Sequence, residues 1–431
     1  MKNKQHEAVN CSRRTFLQLS AAALAVQALP VAAQPMIHRS GYRTAGFEVA
    51  SSLYAWDLHD EGIEKILDNL QSMSGVNSVY LVALMHYEKR PLTSDVFPHN
   101  PVRKMWQTED SKVYWHPDMK MYKRIKPELS VHDWLNDTNW LNMLTTAARK
   151  RGLKTGAELS HTLISREDGE SKYADCMQRD IHGEFKSFGN NHTHPLCPNS
   201  VDAQEYSIAL YTDLIKNHDV DFVQTCMVPF MPGGAADGGC WCENCAKAAK
   251  TEGIDWDGIK KVLLVNPESP KEFEIWQKFR ERSLARFYRG QHEAIHKARP
   301  TAEFRFNDAY YEAKKHGLDI VACSKHWDSV RNSDYSEQRG YPSQMDHKRD
   351  WFKTERAAIG PNYPFIGGVA VRPKATPELI REGVKITLDV DGCGVSLGHY
   401  DGAEWPMLRA IKDELTAENV YVPAQLARKK I

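Results

Sequence analysis

Eight short apolar runs, interspersed with seven stretches of helical periodicity, set the strongest limit on how this 431-residue chain folds. The strand-like runs lie at 46–50, 76–84, 153–159, 220–226, 302–306, 318–323, 365–371 and 394–397. Residues 62–73, 134–150, 202–217, 271–297, 350–358, 377–390 and 407–415 read as helices. Ile63, Ile66, Leu67 and Leu70, for example, repeat every three or four positions, the spacing of a helix with one buried face. Eight strands that alternate with helices close a parallel sheet on itself. The expected fold is therefore an α/β (β/α)8 TIM barrel, with long loops after strands 2, 3 and 4. An open doubly wound sheet is the alternative. No Gly-x-Gly-x-x-Gly or Walker loop opens a helix, so a nucleotide cofactor is not signalled.

The N-terminal segment is read apart from the fold. Ser12-Arg13-Arg14-Thr15-Phe16-Leu17 precedes an alanine-rich apolar run that ends in Val31-Ala32-Ala33 and is too short to span a bilayer. These features fit a twin-arginine export signal over 1–33, cleaved after Ala33, with the twin-arginine translocase as partner during export. The mature chain, 34–431, is expected to be one barrel domain in the periplasm or outside the cell. The 56 basic and 56 acidic residues leave no field to gather DNA or anionic lipid, and no later run has the length of a membrane span. Neither nucleic acid nor, after cleavage, a membrane is an expected partner.

Cysteine spacing gives the sharpest local signal. Cys240-Trp241-Cys242-Glu243-Asn244-Cys245 offers three soft ligands from one tight loop, and a structural zinc ion needs four. Cys197, in Cys197-Pro198-Asn199-Ser200, is the expected fourth, with Cys226 or Cys176 as substitutes. Unconnected thiols or a disulfide are the alternative. Cargo of the twin-arginine route folds before export, so such a cluster can take its metal while the thiols are reduced.

In a barrel, the residues that end each strand converge on one mouth. Those positions hold Trp56, Asp57, His86, Glu158, His161, Asn307, Asp308, His326, Trp327, Asp328, Arg372, His399, Tyr400, Asp401 and Glu404. Glycosidic cleavage needs two carboxyl groups, one protonated and one ionised, and aromatic faces suit sugar rings. Glu158 and Asp308, each closing an apolar strand, form the first expected catalytic pair, and Asp401 with Glu404 the next. Trp56, His86, His161, Asn307, His326, Trp327, Arg372, His399, Tyr400 and Glu404 are expected to bind a carbohydrate substrate. Lys325 and Arg372 suit an anionic sugar. The excursion over 90–130, with Trp106, Tyr114, Trp115 and Tyr122, reads as a wall of the site.

The Cys-Pro motif before the fourth strand and the Cys-x-Cys-x-x-Cys after it resemble the clan A glycoside hydrolases, especially family 42 β-galactosidases and related glycosyl-hydrolase-like families. In some of those barrels the thiols hold zinc. The resemblance implies a barrel hydrolase and a zinc centre, but the chemistry does not carry over directly. Where that family ends strand 4 with Asn-Glu, this chain has Gln224-Thr225-Cys226-Met227, and its strand 7 ends in Val371-Arg372 without the nucleophile Glu. Two other functions remain open. One is a metal-dependent isomerase, epimerase or lyase using Glu158, His161, Asp308, His326 and Asp401 as ligands; the other is a non-catalytic sugar-binding barrel.

Overall fold

A computed structural model describes residues 46–426 apart from 85–90, 93–97, 108–110, 188–192, 227, 309 and 373. The export signal read at 1–33 lies outside the described residues. Eight parallel strands form the barrel: β1 (Glu48–Leu53), β2 (Ser78–Leu84), β3 (Lys154–Leu159), β4 (Phe222–Thr225), β5 (Glu303–Asp308), β6 (Ser329–Asn332), β7 (Phe365–Ala370) and β8 (Gly394–Gly398). They pair in sequence order, and β8 returns to β1, with Leu397 opposite Ser51, to close the ring. The matching helices are α1 (Ile63–Asn69), α2 (Trp140–Lys150), α3 (Val201–Asn217), α4 (Pro270–Ala298), α5 (Ile320–Cys323), α6 (Ser343–Ile359), α7 (Pro377–Asp389) and α8 (Trp405–Ala417). This is the (β/α)8 architecture that the alternation predicts. Between β4 and α4 the chain adds two helices that the periodicity did not reveal, Glu243–Thr251 and Trp256–Val265.

One expected strand is displaced. Leu318–Cys323 is apolar, yet the Asp319 side chain accepts the Ala322 N–H at 3.0 Å and starts the one-turn helix α5 there. The true sixth strand, Ser329-Val330-Arg331-Asn332, has a single apolar residue, because it faces a polar barrel interior. His326, Trp327 and Asp328 therefore precede their strand and lie at the base of the barrel, not at the mouth. Asp328 confirms this by accepting the Phe304 N–H at 2.7 Å, at the start of β5. Trp327 stacks on Phe306 with ring centres 4.0 Å apart.

Inside the base of the barrel, four charged residues from three strands meet. Arg305 Nη1 lies 3.2 Å from Glu48 Oε1 and its Nη2 3.0 Å from Glu303 Oε1, while Lys154 Nζ lies 3.0 Å from Glu48 and 2.6 Å from Glu303. The guanidinium also covers the Phe222 ring at 4.1 Å. Phe222 reaches that position because residue 156 is glycine; a Cβ there would come within 2.3 Å of the ring. Burial alone would raise the Glu48 and Glu303 carboxyls, but the Arg305 and Lys154 charges hold both below the usual 4.5.

Because Arg305 is fully buried, Arg305→Ala leaves two carboxylates with Lys154 as their only cation in this layer and should cost about 3–5 kcal/mol at pH 7. Both folded-state pKa values are depressed, so this stabilisation is present above pH 4.5 and fades as pH falls further. Urea unfolding of both proteins from pH 7 to 3 should show the gap closing on the acid side.

Candidate active site and cysteine centre

Local sequence builds the cysteine centre. Ser200 Oγ accepts the Ala203 N–H at 3.4 Å and starts α3, so the preceding Cys197 is held at a helix entrance. Cys242 occupies the N-cap of Glu243–Thr251 and Cys245 its first turn. The sulfur atoms of Cys197, Cys240, Cys242 and Cys245 all lie within 4.8 Å of one another, and all four residues are buried. Cys197 Sγ is 3.5 Å from Cys245 Sγ. That is far beyond the roughly 2.05 Å of a disulfide and close to the ~3.8 Å edge of a tetrahedron with ~2.3 Å metal–sulfur bonds. The Asn199 backbone N–H points at Cys197 Sγ and its side-chain amide at Cys245 Sγ, both at 3.4 Å, the donors that thiolate ligands attract. Hydrogen bonds from its three neighbours push the Cys242 thiol well below its ordinary range. The set fits one metal ion. Cys176 and Cys226 lie outside the cluster; Cys176 instead adjoins Asp202 and Arg124.

At the mouth, Glu158 ends β3 only 2 % exposed. Its Oε2 accepts Gln224 Nε2 at 2.5 Å and Asn307 Nδ2 at 3.1 Å. Arg331 Nη1 donates to Asn307 Oδ1 at 2.6 Å, and its Nη2 to the Tyr335 hydroxyl at 2.5 Å. A polar chain thus runs from β3 through β5 and β6. Burial raises the Glu158 pKa, opposed by the Arg331 charge and the Gln224 amide, and the net shift is upward. Ser52 and His399 add a hydrogen bond of 2.7 Å between Oγ and Nδ1 where β1 and β8 end.

Beside β1 and β8 a second acidic group gathers. Asp57 accepts the Tyr54 N–H at 2.8 Å, and Asp401 is 2 % exposed. Burial raises both carboxyls, and the proximity of Asp401 raises Asp57 further. Arg372 and the Trp56 indole favour the Asp401 anion without reversing its shift. Two buried acids that repel each other hold a proton more readily than either alone. His99 closes this corner, with Nδ1 2.8 Å from Glu61 and Nε2 3.0 Å from the Tyr400 carbonyl.

The other expected residues scatter. His161 is wholly buried against α3 and α4, its Nδ1 2.8 Å from the Tyr211 hydroxyl and its ring stacked on Phe287, and burial depresses its pKa to about 3. Trp56 stacks on Tyr54 at 4.2 Å and has no exposed face. Tyr400 donates its hydroxyl hydrogen to Glu61 at 3.2 Å in the buried corner. Glu404 is exposed at the N-cap of α8. His86 and the Asp308 side chain lie outside the described residues, although the Asp308 backbone ends β5. Among the described residues, Glu158, His161 and Asp401 do not form one ligand cluster. The expected aromatic wall is packing instead. Tyr122 donates to Asp213 on α3 at 2.7 Å, as does the Trp115 indole at 3.4 Å. Sequence reading missed Arg331 and Tyr335, which follow from the true sixth strand, and His99, which no local pattern marks.

No family model matches the chain, and no curated protein sequence does. Solved structures do. The PgaB (BpsB) glycoside hydrolase domain of Bordetella bronchiseptica matches 87 % of this chain and 99 % of its own length, with TM-score 0.59 and 15 % identity. α-L-Fucosidase isoenzyme 2 of Paenibacillus thiaminolyticus matches 86 % of this chain and 50 % of its own, with TM-score 0.57 and 14 % identity. A β-galactosidase of Bacillus circulans sp. alkalophilus matches 89 % and 57 %, with TM-score 0.56 and 13 % identity. The chain thus spans half or slightly more of the fucosidase and the galactosidase. At these identities the likeness establishes the barrel fold.

Asp401→Asn should stabilise the protein most at high pH. The folded-state pKa of Asp401 is raised above 3.8, so its contribution is complete below pH 3.8 and is lost as pH rises through the folded value. The difference in urea midpoint between variant and wild type should grow from pH 4 to 8; a difference that stays flat contradicts this account.

Proposed function

We propose that this protein is a glycoside hydrolase that cleaves a glycosidic bond in the barrel mouth, with Glu158 as general acid and Asp401 as the second carboxyl group. The observation that carries this reading is the set of buried carboxyls with raised pKa values, Glu158, Asp57 and Asp401, at the C-terminal ends of strands. A barrel places catalytic groups at that face, and burial that strengthens a carboxyl's hold on its proton is the direction that protonation of a departing glycosidic oxygen requires. Glu158 gives its proton to that oxygen. When Asp57 holds the proton that the two neighbouring acids share, Asp401 is the anion and takes a proton from the water whose hydroxyl adds to the sugar carbon. Arg331 and Arg372 limit how far burial neutralises the two acids. The barrel neighbours, a glycoside hydrolase domain, a fucosidase and a β-galactosidase, support the substrate class.

Glu158→Gln and Asp401→Asn should each reduce turnover on the best aryl glycoside or oligosaccharide of a panel by about 10²–10⁴-fold, with the circular dichroism spectrum unchanged. Asp308→Asn decides whether the end of β5 contributes a carboxyl as well. Wild-type rates in both Glu158→Gln and Asp401→Asn refute the assignment, and sugar binding without turnover in the wild type favours a non-catalytic barrel.

The cysteine centre is proposed to hold one structural zinc ion that pins the loop after β4, away from the chemistry. The export signal read from the sequence assigns the mature protein to the periplasm or beyond. Protein recovered from that compartment should begin at Gln34 and carry one zinc per chain that survives dialysis against a mild chelator, while Cys197→Ser loses it. A fully stable, metal-free preparation with residues 1–33 retained would overturn both statements.

A further inference from the structure

At the base of the barrel, far along the chain from the cysteine centre, two histidines one helical turn apart meet an aspartate. His292 and His296 share a face near the end of α4, and Asp328 immediately precedes β6. Their ligand atoms all lie within 4.8 Å of one another. His296 Nε2 is 2.9 Å from Asp328 Oδ2, and His292 Nε2 is 4.0 Å from Asp328 Oδ1. Each half of the site is oriented from behind. The Pro300 carbonyl lies 3.2 Å from His296 Nδ1, and donation of an Nδ1–H to it is the tautomer that would free Nε2 to ligate a metal in place of its contact with Asp328. The Phe304 N–H holds Asp328 Oδ2 at 2.7 Å. These are the contacts that metal-ligating imidazoles and carboxylates make with the residues around them.

We propose that His292, His296 and Asp328 form a second metal site, for a divalent transition ion of borderline softness such as zinc, nickel or cobalt. Two imidazoles and one carboxylate suit that class, and calcium or magnesium would demand more oxygen ligands. Bonds of about 2.0–2.2 Å place neighbouring ligand atoms of a tetrahedral site roughly 3.3–3.6 Å apart, so the 2.9 Å of His296–Asp328 and the 4.0 Å of His292–Asp328 each lie within about an ångström of bonding separation. The three side chains are 22–29 % exposed, so water can complete the coordination shell. His326, whose ring centre is 6.4 Å from that of His292, borders the site at the base of the barrel. A bound ion would tie the last turns of α4 to the start of β6 and, through Phe304, to β5. The barrel wall is thin there, since α5 is a single turn.

The test is calorimetric titration of the full chain with nickel(II), its cysteine centre already filled with zinc. One further equivalent is expected to bind, and His292→Ala, His296→Ala and Asp328→Asn should each weaken it at least about tenfold. Asp328→Asn keeps an acceptor for the Phe304 N–H, so its fold is preserved, and circular dichroism checks all three. In a parallel titration, cobalt(II) at this site should lack the strong thiolate-to-metal absorption of a cysteine centre. Absence of a second equivalent in the wild type overturns the proposal. So does wild-type affinity in Asp328→Asn, which would reduce the site to an incidental histidine pair. Neither outcome depends on glycosidase activity.

Discussion

The pairing of Arg305 with Glu48 and Glu303 is the constraint on which the barrel rests. A closed ring of eight strands has an interior that side chains must fill, and this chain fills the base with charge instead of hydrocarbon. Two cations, Arg305 and Lys154, face two carboxylates, so the layer is neutral and every ion has a partner. Phe222 and Tyr80 lie against this layer and separate it from the mouth, their rings meeting edge to face 5.8 Å apart. Neutral pairing below leaves the upper half free to carry an imbalance.

The mouth carries such an imbalance. Glu158, Asp57 and Asp401 face two guanidinium groups, Arg331 and Arg372, so the acids outnumber the cations near them. Burial, and at Asp57 the neighbouring Asp401, strengthen the hold of these carboxyls on a proton. The family pattern of carboxylates at the ends of strands 4 and 7 is absent, and the acids stand at the ends of β3 and β8 and just after β1 instead. The same barrel accepts either placement because every strand delivers its last residues to the same face.

Much of this was legible in the sequence, for reasons that particular residues show. The runs through Val79–Leu84 and Phe365–Val371 read as strands because both faces are buried. The four cysteines read as one centre because three of them sit in six residues, where spacing alone brings them together. β6 was not legible. Its inward Arg331 is solvated by Asn307 and Tyr335, and nothing in Ser-Val-Arg-Asn announces that those partners exist. An apolar hexapeptide ten residues earlier took its place, and His326 and Trp327 were carried to the wrong end of the barrel with it. His161 misled for the opposite reason: it follows a strand but turns outward to Tyr211.

The ion layer at the base has a further consequence for the order in which the molecule is made. Glu48 lies on the first strand and Arg305 on the fifth, 257 residues apart along the chain. While the ribosome is still short of residue 305, the growing chain holds an acid on β1 that no half-barrel can bury cheaply, with Lys154 its only cation among the base residues already made. A stable half-barrel is therefore disfavoured, and strands 1 to 4 gain little by docking before the fifth arrives. Such long-range pairing carries a loop-closure cost that local contacts do not, and it favours late docking of the first strand.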